Sequence, residues 1–156
     1  VTSRSEVRLL LRIDNADRRL TPCGHQLGLI SDSDYARFRI KYEEADRLRQ
    51  FLREHRWNSA EGSDSRLSQR GDVADFRGLT LEQLLRRPEI ELQDFEPVLR
   101  IHNLWFAPEI RRAVEIDVRY EGYVQQQSRD AERLTKLSSR QIPLDLDYSS
   151  IAGLSR

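Results

Sequence analysis

Two long segments of this chain carry apolar residues at intervals of three and four positions, which is the spacing of one face of an α-helix. The first segment opens with Ser31 and Asp34, and the second opens with Pro108, which are both helix-start signals. The other faces are crowded with Arg, Glu and Asp, so each helix should bury only a stripe. The apolar positions are Tyr35, Phe38, Tyr42, Ala45, Leu48 and Leu52 in the first segment, and Ile110, Ala113, Val114, Ile116, Tyr120, Tyr123, Ala131 and Leu134 in the second.

The N-terminal region predicts two further helices. Ser3 and Glu6 form a capping box at the start of the first one. The run DNAD at 14–17 should end that helix, because Asp and Asn side chains compete for backbone hydrogen bonds. Thr21 and Pro22 then match the N-cap and first position of a short second helix.

The middle of the chain is more polar. Residues 58–79 are rich in Ser, Gly and Asp and predict a long loop. Thr80 with Gln83 predicts the start of a short helix. Trp105 and Phe106 lie in a later loop, and we expect both rings to pack against the helices.

These patterns together predict an all-α fold: a helical bundle built on two long antiparallel helices plus short helices. We expect residues 1–156 to form one helical domain that is a fragment of a larger chain, since Val1 is not Met and the terminal Gly-Leu-Ser resembles the cap of a further helix. The expected parts are a motif-bearing helix and a short helix in 1–30, a long helix in 31–57, a loop in 58–79, short helices in 80–107, a long helix in 108–138 and an extended tail in 139–156.

Composition excludes several classes of protein. No apolar run approaches the length that spans a bilayer, and no secretory signal is visible. Cys23 is the single cysteine, so no intrachain disulfide can form, and a reducing, cytoplasmic setting is expected. The formal net charge is zero, which argues against indiscriminate binding to polyanions.

No motif for catalysis, metal binding or phosphate binding is present. The sequence lacks C-x-x-C and H-x-x-x-H spacings, and it lacks both G-x-G-x-x-G and the P-loop pattern. We therefore expect no catalytic, metal-binding or cofactor-binding residues in this segment.

The arginines near the N-terminus are the one unusual chemical feature. Arg4, Arg8 and Arg12 (the arginine row) are four residues apart, and in a helix they would lie along one face over about 12 Å. Such a row could follow the phosphates of one nucleic-acid strand. The alternative is that these arginines pair with Glu6, Asp14 and Asp17 and with carboxylates of other helices. The residues alone leave both interpretations open.

Five motifs lie in order along nearly the whole chain, at residues 2–21, 24–29, 84–90, 114–127 and 142–155, and together they resemble those of the MnmG/GidA family. Residues 2–21, TSRSEVRLLLRIDNADRRLT, are similar to the family's T-S-R-A-E-[YH]-R-L-L-L-R-x-D-N-A-D-x-R-L-T. The other matches are Gly24 with Gly28-Leu29, LLRRPEI at 84–90, VEIDVRYEGYVQQQ at 114–127 and IPLDLDYSSIAGLS at 142–155. Two positions differ from the first motif: Ser5 stands for Ala and Val7 for an aromatic residue.

The resemblance implies a function that the residues cannot supply. The family comprises FAD-dependent subunits of the enzyme that attaches a carboxymethylaminomethyl group to C5 of the tRNA wobble uridine. FAD, with NADH as reductant, is implied for the full-length protein and no cofactor for this fragment. The implied partners are tRNA, an MnmE-type GTPase and a second copy of the full-length protein, with no membrane.

The expected role of this fragment follows from the resemblance. It implies a tRNA-contacting and partner-docking helical domain that is inactive alone. The implied tRNA-contact residues, by motif position, are Arg4, Arg8, Arg12 and Arg19. The alternative is a pure protein-interaction module that docks the GTPase or a second subunit, with the arginines in structural salt bridges.

Overall fold

The computed structural model describes residues 7–58, 67 and 76–138. Its α-helices are α1 (Ala16–Gln26), α2 (Asp32–Glu54), α3 (Leu81–Leu85), α4 (Glu96–Ile101) and α5 (Pro108–Ser138), with a 3₁₀ helix at Leu92–Phe95 before α4. Within those ranges there is no strand, and Arg56 and Thr80 form an isolated antiparallel bridge. The predicted all-α class is confirmed.

Some predictions fall outside the described residues. These are the capping box of Ser3 and Glu6, the position of Arg4, the tail at 139–156 and most of the predicted loop. The assignment of 1–156 to a single domain within a larger chain stays a prediction. No helix in the described ranges combines the length and the apolarity that crossing a bilayer requires.

The predicted helix starts after residue 30 are confirmed. The Ser31 hydroxyl accepts a hydrogen bond from the Asp34 backbone N–H at 3.2 Å and caps α2. Thr80 and Gln83 exchange side-chain and backbone hydrogen bonds at the start of α3, which is a complete capping box. Pro108 is the first residue of α5.

The prediction for the N-terminal helices is wrong at 14–22. Residues 7–10 form a single turn, and α1 begins at Ala16, inside the run that was expected to end a helix. Asp17 lies in the first turn of α1, where its charge is favourable at the positive end of the helix dipole. Pro22 lies inside α1 instead of at its start, so the Arg18 carbonyl receives no hydrogen bond from a residue-22 N–H.

The core lies where α2, α3 and α5 meet. Leu48 and Leu52 of α2 and Val118 of α5 have 1% exposure or less, and the three short helices supply most of the other buried side chains. Burying one such side chain stabilises a fold by roughly 1.5–3 kcal/mol. The buried apolar set is Leu48, Leu52, Trp57, Leu67, Phe76, Leu81, Leu84, Leu85, Ile90, Leu92, Phe95, Val98, Leu99, Phe106, Ile110, Val114 and Val118.

Leu67 is an exception to the predicted long loop at 58–79. It is helical and fully buried, and it belongs to the same apolar cluster as the helices. Phe76 near the end of the predicted loop is also buried, and its ring meets Trp57 edge-on at 6.3 Å. Leu67 and Phe76 are therefore core residues despite their polar neighbours in sequence.

A cluster of charges joins the three central helices. Glu82 of α3 is buried, and Arg53 donates to it from α2 at 3.2 Å. Glu121 of α5 accepts from Arg49 at 2.5 Å and from Arg86 at 2.7 Å. Arginines of α2 and of the end of α3 thus form ion pairs with carboxylates of α3 and α5. These pairs fix the position of α5 against the other two helices.

Two expectations about aromatic and apolar positions are wrong. Trp105 is 66% exposed, whereas Phe106 is buried as expected. In α5 the buried face is Ile110, Val114 and Val118, at intervals of four. Tyr120, Tyr123 and Leu134 were assigned to a buried stripe but are 42%, 66% and 50% exposed.

Candidate nucleic-acid interface

The segment before α1 lies against α5. The backbone N–H groups of Leu9 and Leu10 both donate to the Gln127 Oε1 of α5, at 2.6 and 3.2 Å. The Leu10 N–H also donates to the Val7 carbonyl at 3.0 Å, so it is shared between its own turn and Gln127. This contact places Arg8, the neighbour of Leu9, beside the turn of α5 that contains Gln127.

Arg12 is held by two carboxylates. Its Nε and Nη2 donate to Asp14 at 3.0–3.1 Å, and Nη2 also donates to Asp117 of α5 at 2.9 Å. Its guanidinium lies 5.5 Å from the centre of the Tyr120 ring, and its side chain is only 13% exposed. Arg12 therefore matches the salt-bridge alternative in this structure.

The pair of Arg12 and Asp14 shifts both groups toward their charged forms. The hydrogen bond from Arg12 lowers the pKa of the Asp14 carboxyl below its ordinary value, although partial burial acts in the opposite direction. The same hydrogen bond raises the pKa of Arg12. The ion pair thus persists at neutral pH.

Asp17 connects α1 to α2. It accepts hydrogen bonds from the Lys41 Nζ at 2.6 Å and from the Tyr42 hydroxyl at 2.5 Å. Burial alone would raise the pKa of Asp17, but these hydrogen bonds outweigh it and the pKa is lowered. Burial and the hydrogen bond to Asp17 raise the pKa of Tyr42. α1 buries no side chain fully, so polar contacts of this kind hold it in place together with the stacking of His25 on Tyr35 of α2.

Arg18 is exposed but is also paired with carboxylates. Its Nη2 lies 3.4 Å from Asp46 and its Nη1 lies 3.8 Å from Asp117, so it connects α1 to both long helices. Its guanidinium also lies 5.1 Å from the centre of the Tyr42 ring. The sequence offered no reason to single out Arg18, because it falls at a variable position of the motif.

The structure separates the four predicted tRNA-contact residues. Arg4 lies outside the described residues. Arg8 is exposed, and within the described ranges it has no hydrogen bond or ion pair. Arg19 is exposed, and its Nε donates to the Asn15 Oδ1 at 3.0 Å. Arg12 is paired as above, so the row expected on one helix face does not form between Arg8 and Arg12: Arg8 lies in a turn and Arg12 in the irregular residues after it.

Two exposed tyrosines belong to the apolar stripe predicted from the sequence and not to the predicted site residues. Tyr120 and Tyr123 lie on the side of α5 away from the buried face of Ile110, Val114 and Val118. Helical spacing could have revealed their exposure, because positions 110, 114 and 118 share one side of a helix and positions 120 and 123 fall on another.

The described residues do not fit a metal or a dinucleotide. No group of three or more His, Cys, Asp or Glu side chains among them is arranged to hold a metal ion. FAD is held in dinucleotide-binding folds by a glycine-rich turn between a strand and a helix. The part of the chain that the structure describes has helices without strands, so it supplies no such turn.

Comparison with known proteins gives consistent matches. The family model described as "tRNA modifying enzyme MnmG/GidA C-terminal helical domain" matches residues 32–128. The chain is 44% identical over 156 residues to a protein of Syntrophotalea carbinolica and 42% identical over 158 residues to one of Geobacter sulfurreducens. Both are named tRNA uridine 5-carboxymethylaminomethyl modification enzyme MnmG. Each alignment covers 99% of this chain and 24% of the relative.

The solved structure of Aquifex aeolicus GidA agrees with the described fold. It aligns with a TM-score of 0.63 at 29% identity, over 98% of this chain and 23% of that one. The chain thus spans about a quarter of the length of the relatives it matches. With more than half of its residues matched by the family model, the chain belongs to the MnmG/GidA family of tRNA-modifying enzymes.

Proposed function

We propose that this chain is the helical region of a longer, cytoplasmic FAD-dependent enzyme that modifies C5 of the tRNA wobble uridine. Within that enzyme, Arg8 and Arg19 contact the tRNA backbone. Arg4 is assigned the same role because it matches an arginine of the family motif. Arg12 instead holds the N-terminal segment against α5. The Arg8 guanidinium carries the proposal, since it is exposed and unpaired within the described ranges.

Charge and geometry support this assignment. An arginine that ends in solvent can form forked hydrogen bonds to a phosphate, whereas one already paired with carboxylates must break those pairs first. Arg8 lies beside α5 through the contacts of Leu9 and Leu10 with Gln127, so its backbone is positioned while its side chain extends outward. Arg19 lies on α1, one turn beyond Asn15.

The test uses the full-length enzyme with Arg8→Ala and Arg19→Ala, alone and combined. Each lost phosphate contact should weaken tRNA binding and reduce the slope of log K against log salt concentration by roughly one. Arg39→Ala is the matched control, because Arg39 is an exposed arginine of α2 that pairs with Glu43. Unchanged affinity and slope in the double variant would remove the tRNA-contact proposal.

A second candidate function is docking of a protein partner, the MnmE-type GTPase or a second subunit. Apolar side chains on and beside α1 support it: Ile13, Leu20, Leu27 and Leu29 are 94%, 60%, 68% and 79% exposed. Exposed apolar groups in one region favour a protein interface. Leu20→Asp and Leu27→Asp should then weaken copurification with the GTPase or dissociate a dimer, and leave tRNA affinity unchanged. Intact assembly in both variants would exclude this role.

A further inference from the structure

Two tyrosine rings project from α5 into solvent. Tyr123 is 66% exposed and Tyr120 is 42% exposed. Their ring centres are 6.3 Å apart and their planes are inclined by 54°. An exposed tyrosine pair on a helix that already has a complete buried face contributes little to the core, so its apolar surface is available to a ligand.

The space around these rings is open. A Cβ built on Gly122, which lies between them in sequence, meets no atom within 4 Å outside the backbone of its own turn and its two neighbours. Tyr123 also lines a cavity of about 440 Å³ with Arg86, Arg119 and Gln125. Gly122, which also lines this cavity, adds no side chain to it.

Positive charge lies beside the rings. Arg12 lies over Tyr120 and is fixed there by Asp117. Arg8 is next to Leu9, whose N–H binds Gln127, and Gln127 is one helical turn after Tyr123. Arg8 and Tyr123 therefore lie near the same two turns of α5.

Two carboxylates on the turns of α5 that contain Tyr120 and Tyr123 are neutralised by arginines. Asp117 pairs with Arg12, and Glu121 pairs with Arg49 and Arg86. Neither presents an unpaired negative charge to a phosphate. Aromatic rings next to arginines are the recurring arrangement of single-stranded nucleic-acid sites, where bases stack on the rings and cations follow the backbone.

We propose that Tyr123, supported by Tyr120, stacks on an unpaired base of tRNA while Arg8 contacts an adjacent phosphate. This inference rests on the proposed tRNA-contact function and adds to it the site that receives a base. The ligand is then a single-stranded part of the tRNA, such as a loop, in preference to a helical stem.

The test compares Tyr123→Ala and Tyr123→Phe in the full-length enzyme, by titration of an unmodified tRNA transcript over a salt series. Loss of one stacked base should weaken binding about fivefold to more than a hundredfold in the alanine variant. Its salt slope should stay unchanged, since stacking releases no counterions, whereas Arg8→Ala should change the slope. The phenylalanine variant keeps the ring and should bind like the wild type.

Trp105→Ala is the matched control, because Trp105 is also 66% exposed but follows α4, where its ring lies beside Arg100 and not on α5. It should leave tRNA affinity unchanged. A single-stranded oligouridine should compete with tRNA for the wild type better than for Tyr123→Ala, and a blunt RNA duplex should not show that difference.

The outcomes separate the two proposals. Wild-type affinity in Tyr123→Ala, together with weakened binding in Arg8→Ala, overturns the stacking site and keeps the phosphate contact. Equal losses in the alanine and phenylalanine variants also overturn it, since the hydroxyl would then be responsible. Loss of GTPase binding in Tyr123→Ala with unchanged tRNA affinity assigns the surface to a protein partner and overturns it. Unchanged affinity in Tyr123→Ala, together with unchanged affinity and salt slope in the double variant of Arg8→Ala and Arg19→Ala, removes the proposed tRNA-contact function itself.

Discussion

Replacing Arg12 by Ala should release the N-terminal segment from α5 without unfolding the core. The Arg12 side chain is 13% exposed and donates to Asp14 and to Asp117. Of these two partners of Arg12, only Asp117 lies on another helix, and the bonds from Leu9 and Leu10 to Gln127 remain in the variant. A charge-assisted hydrogen bond is worth about 1.5–3 kcal/mol when it is protected from water. Asp117 is 33% exposed, so water replaces part of the loss and the low end of that range applies.

The expected free-energy change is then about 2 kcal/mol, including about 0.5 kcal/mol for the contact with the Tyr120 ring. α1 buries no side chain fully, so this region can open separately from the core. Amide hydrogen exchange is therefore the appropriate assay. A loss of about 2 kcal/mol should raise exchange rates for residues 9–26 by about 30-fold, with little change in α2 or α5.

Arg19→Ala is the control for this experiment. Arg19 is exposed and its bond to Asn15 stays within one region of the chain, so exchange should rise less than about threefold. The reasoning would be refuted if Arg12→Ala left exchange at residues 9–26 unchanged and weakened tRNA binding as much as Arg8→Ala. Arg12 would then be a ligand residue despite its ion pairs.

Two further predictions concern the α1–α2 contact and the buried leucine of the polar segment. The lowered pKa of Asp17 means that its contact is present above about pH 4 and is lost as the carboxylate protonates below it, while the raised pKa of Tyr42 means that the neutral hydroxyl contributes below about pH 10 and is lost above it. The NMR signals of the Tyr42 ring should be constant between these limits, and Asp17→Asn should remove the acid-side change; persistence of that change would implicate another group. Leu67→Ala should lower the free energy of unfolding by about 2–5 kcal/mol in urea denaturation, because Leu67 is fully buried, and Leu27→Ala at a 68% exposed site by less than about 0.5 kcal/mol. Equal effects of the two leucine variants would place Leu67 outside the core.

The long helices could be predicted because local signals and tertiary packing agree there. Ser31 caps α2 and Pro108 opens α5, and the periodic apolar positions of α2 lead to the buried Leu48 and Leu52. The N-terminal helix could not be placed from local signals. Asp17 was expected to end a helix, but its bonds to Lys41 and Tyr42, residues more than 20 positions away, favour a helix start.

The candidate site was only partly predictable for the same reason. The motif resemblance selected Arg8, Arg12 and Arg19 together, yet the surroundings of these residues differ. Asp117, which binds Arg12, is more than 100 positions away in sequence, so spacing could not distinguish a paired arginine from an exposed one. Tyr123 was assigned to a buried stripe because an apolar ring at helical spacing is usually a core residue, and only the packed positions of α5 show otherwise.

The attachment of α1 by charged groups makes its position depend on ionic strength. The interaction of exposed charges decays over about 8 Å at 0.15 M salt and about 3 Å at 1 M. Concentrated salt should therefore free α1 and the preceding residues from the long helices while the apolar cluster stays intact. Added salt then loosens this end of the protein and also screens its attraction for an anionic ligand. Both effects weaken binding of that ligand.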